Sequence, residues 1–214
     1  MSAPQFSVDD VCARLAGTEL DAAQAQAEPL AQFLNLLSQW SAVHNLTGFR
    51  DADSLLDRVL LECLLLRTWL AGETIADIGS GAGLPGLPLA ITEPERSFTL
   101  IESRAKRVHF LQHVAGALGL NNVEVAHMRA EDLPAERSFA TVLGRAVAAP
   151  QAFVTLARRI CSAGGRIVLL TSPEKSAELR GQPAGMPADV RLTEVVPAGP
   201  QGRYGVIVRL DRIE

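Results

Sequence analysis

Apolar positions recur with two different rhythms along the chain, helical up to about residue 72 and alternating strand and helix beyond it. Ser7 with Asp10 is placed to cap a short helix reaching Leu15. Residues 22–43 carry Leu30, Phe33, Leu34, Leu37 and Trp40 near helical spacing. A third helix is expected from a cap at Asp53 or Ser54 to about Ala71, closed by Gly72. From Thr74 onward, strands are expected at 75–78, 97–102, 123–127, 139–143 and 166–170. Helices at 87–91, 106–118 and 151–160 lie between them, with a weaker one at 174–180. Two last strands, 191–196 and 204–210, are joined by a short Gly/Pro turn that favours an antiparallel pair. The expected fold is α/β: a mostly parallel sheet with crossovers, closed by an antiparallel C-terminal hairpin. No Pro/Gly-rich linker marks a break near residue 72. Residues 1–72 therefore read as a helical extension packed on a core formed by residues 73–214.

Between the first strand and the next helix stands Asp77-Ile78-Gly79-Ser80-Gly81-Ala82-Gly83-Leu84-Pro85-Gly86. Glycines at alternate positions permit a sharp turn and leave room for a ligand to lie on the backbone. Gly81 to Gly86 satisfies the G-x-G-x-x-G pattern of a dinucleotide site, where a helix N-terminus faces a pyrophosphate. The longer Asp77-x-Gly79-x-Gly81-x-Gly83 pattern resembles the first motif of class I methyltransferases that use S-adenosylmethionine. Asp77 favours the methyl donor, because a carboxylate attracts its ammonium and repels a pyrophosphate. The closing antiparallel hairpin favours the same sheet, since a dinucleotide fold continues with parallel strands.

At 214 residues, 48% hydrophobic and 21% charged, the chain fits one globular domain. A net charge of −4 provides no global basic field, so nucleic acid would have to be held by a local patch. Cys12, Cys63 and Cys161 are odd in number and lack metal spacing, and they read as core filler. No signal pattern and no apolar run of membrane-spanning length is evident, which predicts a soluble cytoplasmic protein.

Further candidates sit at strand ends, where open α/β sheets bind ligands. Glu102 can accept from both hydroxyls of a ribose. Ala130-Glu131-Asp132 can frame an adenine, or Glu131 and Asp132 can open a surface loop and counter Arg129. Arg145, in Gly144-Arg145-Ala146, can contact the donor or a phosphate, or pair with Asp77 or Glu102. His109 and His113 lie four residues apart without a nearby third ligand, so a solvated or RNA-facing helix side is expected rather than a metal site. No general base stands out. Guanine N7 is a nucleophile that needs none, since it already holds a free lone pair.

Several motifs together resemble the bacterial 16S ribosomal RNA guanine-N7 methyltransferases, also called glucose-inhibited division protein B, over nearly the whole chain. Trp40, Asn45-Leu46-Thr47 and Arg50-Asp51 are similar to the family's N-terminal segment. The run from Gly79 to Leu89, with Pro85 and Pro88, is similar to its glycine-loop signature. Glu102-Ser103, Lys106-Arg107-Val108 and Phe110-Leu111 resemble its second-strand motif, and Arg203 matches before the last strand. The resemblance implies donor contacts at Gly79, Leu84, Ala130, Glu131 and Arg145. It implies S-adenosylmethionine as cofactor, to whose site the reading of the residues adds Asp77, Gly81, Gly83 and Glu102, with Arg145 expected to be catalytic at the junction of donor and target. RNA phosphates are expected at Arg50, Arg58, Lys106, Arg107 and Arg203. The partner it implies is 16S rRNA or the small ribosomal subunit, and a monomer without metal is expected. Where the family reads R-H-x-x-D-S the chain has Arg58-Val59-Leu60-Leu61-Glu62-Cys63. Its S-R-A is Gly144-Arg145-Ala146, and Thr171 stands where a lysine is usual. These departures motivate two alternatives, a paralogue acting on another RNA or a small molecule, and a non-catalytic donor-binding ribosome-assembly factor.

Overall fold

The computed structural model describes residues 3–18, 20–49, 51–134, 136–146, 149–181, 184–199 and 205–213. Among them seven strands form one sheet: β1 (Thr74–Ile78), β2 (Ser97–Glu102), β3 (Val123–His127), β4 (Phe139–Arg145), β5 (Cys161–Thr171), β6 (Val190–Pro197) and β7 (Val206–Arg212). Their order is β3-β2-β1-β4-β5-β7-β6. β1 to β5 pair in parallel, and β7 runs antiparallel to both β5 and β6. The chain winds outward from β1 through β2 to β3 and then returns to β4, on the other side of β1. The C-terminal end of β1 is thus the point where strand order reverses, the place at which open α/β sheets leave a crevice for ligands.

Three sheet-side helices follow the expected crossovers: α5 (Gly86–Thr92), α6 (Ala105–Ala117) and α7 (Pro150–Ile160). α7 buries Phe153, Val154, Ala157 and Ile160 against Val142, Ile167 and Leu169 of the sheet. α8 (Pro173–Ala177) is a single turn, N-capped by Ser172, and is shorter than its sequence suggests. β5 begins at Cys161, five residues before its expected start, because Cys161 pairs with Phe139 ahead of an irregularity before the Thr141–Arg166 pair.

The N-terminal part is helical but less regular than its periodicity implies. α1 (Val8–Leu15) carries the Ser7–Asp10 capping box, with Ser7 N–H donating to Asp10 Oδ2 at 2.8 Å. α2 (Ala27–His44) starts five residues later than the apolar pattern suggests, after a 3₁₀ stretch at Asp21–Gln26. Pro29 accounts for the delay: without an N–H it fits only the first turn of an α-helix. The expected third helix is broken into α3 (Ala52–Ser54), a π-helical segment Leu55–Leu61, α4 (Glu62–Leu64) and a 3₁₀ turn Arg67–Trp69. Its cap is Asp51, which accepts from Ser54 N–H at 2.7 Å, and not Asp53 or Ser54. Leu30, Phe33, Leu34 and Leu37 of α2 share one apolar cluster with Leu87, Ile91, Leu100, Phe110 and Leu111. The N-terminal helices therefore complete the core of the sheet's α5–α6 face. Among the described residues no helix is long and apolar enough to cross a membrane.

Candidate active site

Asp77 lies 1% exposed at the end of β1, and its Oδ2 accepts from Gly86 N–H at 3.1 Å. The loop between them is pinned by Gly79 N–H and Ser80 N–H, both donating to Ile101 O, and by Ser80 Oγ donating to Asp77 O. Gly79, Gly81 and Gly83 all have positive φ, so the alternating glycines meet a backbone requirement. Gly86 has a different reason. A Cβ there would stand 2.3 Å from Leu100 and 2.7 Å from Asp77 Oδ2, so only glycine lets α5 start against the strand. Burial raises the Asp77 carboxyl to about 7, against the opposing hydrogen bond from Gly86 and the pull of the nearby Ser80 hydroxyl.

Glu102, also buried, ends β2. Its Oε2 accepts from Gly81 N–H at 3.0 Å and its Oε1 from Arg104 N–H at 2.8 Å, while Arg107 Nη1 lies 3.6 Å from Oε2. The carboxylate thus braces the glycine loop against the start of α6.

A cleft of about 790 Å³ opens over this loop. One wall is Gly79, Ser80, Gly81, Ala82 and Leu84 from the loop, with Arg107 of α6. The opposite wall is Leu46, Thr47, Gly48 and Phe49 from the segment after α2, with Arg58 and Glu62. Arg145, Ala146, Leu170, Thr171, Ser172, Pro173, Lys175 and Gly205 close it from the β4–β5 side. The structure therefore brings together Gly79, Gly81, Leu84, Arg58, Arg107 and Arg145 from the sequence-derived candidates. Asp77 and Gly83 support the loop from behind. Glu102, Ala130 and Glu131 lie toward β2 and β3 and do not line the cleft. Ala130 is buried in a 3₁₀ turn, and exposed Glu131 offers its carbonyl to Arg159. Lys106 is exposed on α6. Arg50 and Arg203 fall outside the described residues.

Arg145 does not pair with Asp77 or Glu102. Its Nη2 donates to Glu62 Oε2 at 3.0 Å and to Arg58 O at 2.9 Å, and Arg58 Nε stands 2.9 Å from the same Glu62 oxygen. Burial pushes the Glu62 carboxyl up, and the two guanidinium groups pull it down. The sequence reading missed Glu62 as a site residue because it lies 83 positions from Arg145 and shares no local pattern with it. Leu46–Phe49 and Lys175 were likewise missed as cleft-lining groups. Lys175 pairs with Glu178 at 2.9 Å.

His109 and His113 are exposed on α6, and the His113 ring lies 5.5 Å from Trp40. Among the described residues no group of three or more His, Cys, Asp or Glu is placed to hold a metal ion. The buried Cys63 thiol, 3.9 Å from Arg145 Nη1, is pushed up to about 12, which makes it a neutral packing group.

Residues 26–203 match the family described as rRNA small subunit methyltransferase G. The chain belongs to that family. A protein of Halorhodospira halophila called ribosomal RNA small subunit methyltransferase G is 40% identical over 185 residues, 86% of this chain and 87% of its own length. One of the same name from Marinobacter nauticus is 35% identical over 194 residues, 91% of each. Among solved structures, a methyltransferase from Geobacter sulfurreducens superposes with a TM-score of 0.58 at 14% identity, covering 86% of this chain and 89% of that one. A SAM dependent methyltransferase from Aquifex aeolicus gives 0.57 at 17% identity, covering 76% and 94%. These likenesses show the class I methyltransferase fold, and the cofactor of this family and fold is S-adenosylmethionine.

The site fits that cofactor. Asp77 Oδ1 is buried with no hydrogen-bond partner in the structure, a lone acceptor behind the loop that a cation can satisfy. A Cβ on Gly79 would meet nothing within 4 Å, so this backbone faces open space inside the cleft. Within the family frame two departures have packing reasons. Val59 is fully buried in the N-terminal apolar cluster. A Cβ on Gly144 would stand 2.3 Å from the Phe153 ring, which leaves no room for the family's serine. Thr171 lines the cleft, and a lysine is still supplied there by Lys175.

Proposed function

We propose that this chain transfers a methyl group from S-adenosylmethionine to guanine N7 of 16S rRNA, in the cytoplasm and as a monomer without a metal. Family membership combined with an open cleft over the glycine loop is the observation that carries this reading. The division into an extension, 1–72, and a methyltransferase core, 73–214, is retained, with the extension supplying the wall of the cleft that faces the loop.

The chemistry that S-adenosylmethionine supplies when bound is an electrophilic sulfonium methyl. The loop Gly79, Gly81, Gly83 and Leu84 would hold its methionine end with Asp77, Glu102 its ribose, and Ala130 with Glu131 its adenine. For Glu102 this means exchanging or sharing its present bonds to Gly81 and Arg104. Arg145, anchored through Glu62, would sit between donor and acceptor. Among the described residues lining the cleft the one acid is Glu62, already engaged by two arginines. Such a lining suits an acceptor atom that has no proton to lose, and N7 of guanine is one. Catalysis then comes from alignment and exclusion of water. Lys106 and Arg107, with Arg50 and Arg203, would contact phosphates and set the RNA's position without reading its sequence. Arg58, fixed to Glu62, belongs instead to the wall of the cleft.

Labelled methyl transfer to small subunits from a strain lacking this activity tests the reading. The expected product is N7-methylguanosine at one position of 16S rRNA. Turnover on another atom or another RNA, or none at all, rejects it.

A further inference from the structure

Phe49 is the one aromatic side chain among the described residues that line the cleft. It is half-buried, packing partly against the apolar cluster of the N-terminal helices and partly facing the cleft. The guanidinium carbons of Arg58 and Arg145 lie 5.7 and 5.9 Å from its ring centroid. Both guanidiniums are held by the buried Glu62 carboxylate, so the group carries two positive charges and one negative. The cleft thus contains a flat apolar ring beside two flat guanidinium groups.

Its position assigns it to the acceptor. The cleft takes in the glycine loop and then extends toward β4, β5 and the segment after α2. It leaves out Glu102, Ala130 and Glu131 on the β2–β3 side, where the adenosyl half of the donor is placed above. The volume in front of Phe49 therefore lies beyond the donor. Flat aromatic rings and guanidinium planes are the surfaces on which unstacked RNA bases settle, and an enzyme acting on a base within structured RNA must first take it out of its stack.

We propose that Phe49, with the Arg58 guanidinium beside it, is the wall on which the acceptor base stacks inside the cleft, an assignment that rests on the RNA methyl-transfer reading above. The Glu62 bridge fixes the two guanidiniums beside the ring before RNA arrives.

The test uses the full chain, small subunits from a strain lacking the activity, and labelled donor. It compares wild type with Phe49→Leu, which keeps apolar packing but removes the flat ring, and Phe49→Tyr, which keeps the ring. A base–aromatic stack is worth about 1–3 kcal/mol, so Phe49→Leu is expected to lower kcat/KM for subunits roughly 5- to 150-fold. S-adenosylhomocysteine affinity, measured by calorimetry, should change less than about threefold, and Phe49→Tyr should stay near wild type. Full activity in Phe49→Leu overturns the stacking wall, as does an equal loss of S-adenosylhomocysteine affinity. If the wild type itself gives no N7 label, the methyl-transfer reading fails first, a result distinct from a wild type that labels and a leucine variant that labels equally well.

Discussion

Asp77 and Gly86 are joined across the whole glycine loop by a single hydrogen bond of 3.1 Å, Gly86 N–H to Asp77 Oδ2, which leaves Oδ1 of the same carboxylate buried without a partner. One oxygen fixes the loop, and the other is left without a hydrogen bond.

Stability and donor binding should respond to pH in opposite directions at Asp77. In the folded chain its carboxyl is raised from 3.8 to about 7 by burial. A raised acid favours the protonated form, so its contribution to stability is full below about pH 4 and is lost as pH rises through about 7. Each pH unit of that rise is worth about 1.4 kcal/mol. Wild type should therefore lose a few kcal/mol of stability relative to Asp77→Asn between pH 4 and 7, ending the less stable of the two, and the gap should stay level above. Binding of an ammonium group needs the carboxylate, so S-adenosylhomocysteine affinity should fall up to tenfold per pH unit below about 7. Denaturant melts and calorimetry across this range check both slopes, and an Asn variant with the wild-type pH dependence would discard the assignment.

Two glycines of the same loop should fail in different ways. Alanine at Gly86 would push its Cβ to 2.3 Å from the fully buried Leu100, and overpacking of this kind costs about 1–3 kcal/mol. Alanine at Gly79 meets open space, with φ at +69°, and costs only the strain of a left-handed residue, about 1–2 kcal/mol. Its methyl group would project into the open space proposed for the donor. Gly86→Ala should lower the melting temperature more, and Gly79→Ala should weaken S-adenosylhomocysteine more. The reverse ranking would mean that the open side of Gly79 is not the donor side.

The parallel sheet and the glycine loop were legible in the sequence because each rests on local patterns: short apolar runs bounded by turn residues, and alternate glycines after an acidic strand end. The stretch from a cap at Asp53 or Ser54 to about Ala71 reads as a single helix because its apolar spacing is nearly helical. A π-helical turn at Leu55–Leu61 has no distinct signature, and the spacing does not register the extra residue it accommodates. The partner of Arg145 was misread for another reason. Asp77 and Glu102 are neighbours in the sheet, whereas Glu62 reaches Arg145 only because the N-terminal helices fold across the loop. Phe49, between two motif stretches, and Lys175, on α8, become cleft-lining residues only through tertiary placement.

Gly144 should be coupled to Phe153. Restoring the family's serine with Gly144→Ser places a Cβ 2.3 Å from the Phe153 ring and is expected to destabilise by about 1–3 kcal/mol. Adding Phe153→Leu should recover much of that cost, although Phe153→Leu alone opens a void and destabilises. Unfolding free energies of the four proteins in this cycle measure the coupling, and strict additivity would show that the ring does not explain the glycine.

Glu62 is the sole described carboxylate against both Arg58 and Arg145 in the cleft wall, and its side chain is 3% exposed. Glu62→Gln removes its charge at nearly constant volume and leaves the largely buried Arg145 guanidinium without compensation. Breaking a buried pair from one side costs about 3–5 kcal/mol. Arg145→Gln alone should cost a similar amount, because Glu62 would retain only half-exposed Arg58. The double variant leaves two neutral amides that can bond each other, so it should be more stable than the sum of the singles by about 1–3 kcal/mol. Glu62→Asp, which keeps the charge but shortens the reach, should preserve more stability than Glu62→Gln. Denaturant unfolding of the set measures this coupling, and a value within about 0.5 kcal/mol of zero would reduce the bridge to a contact without energetic weight.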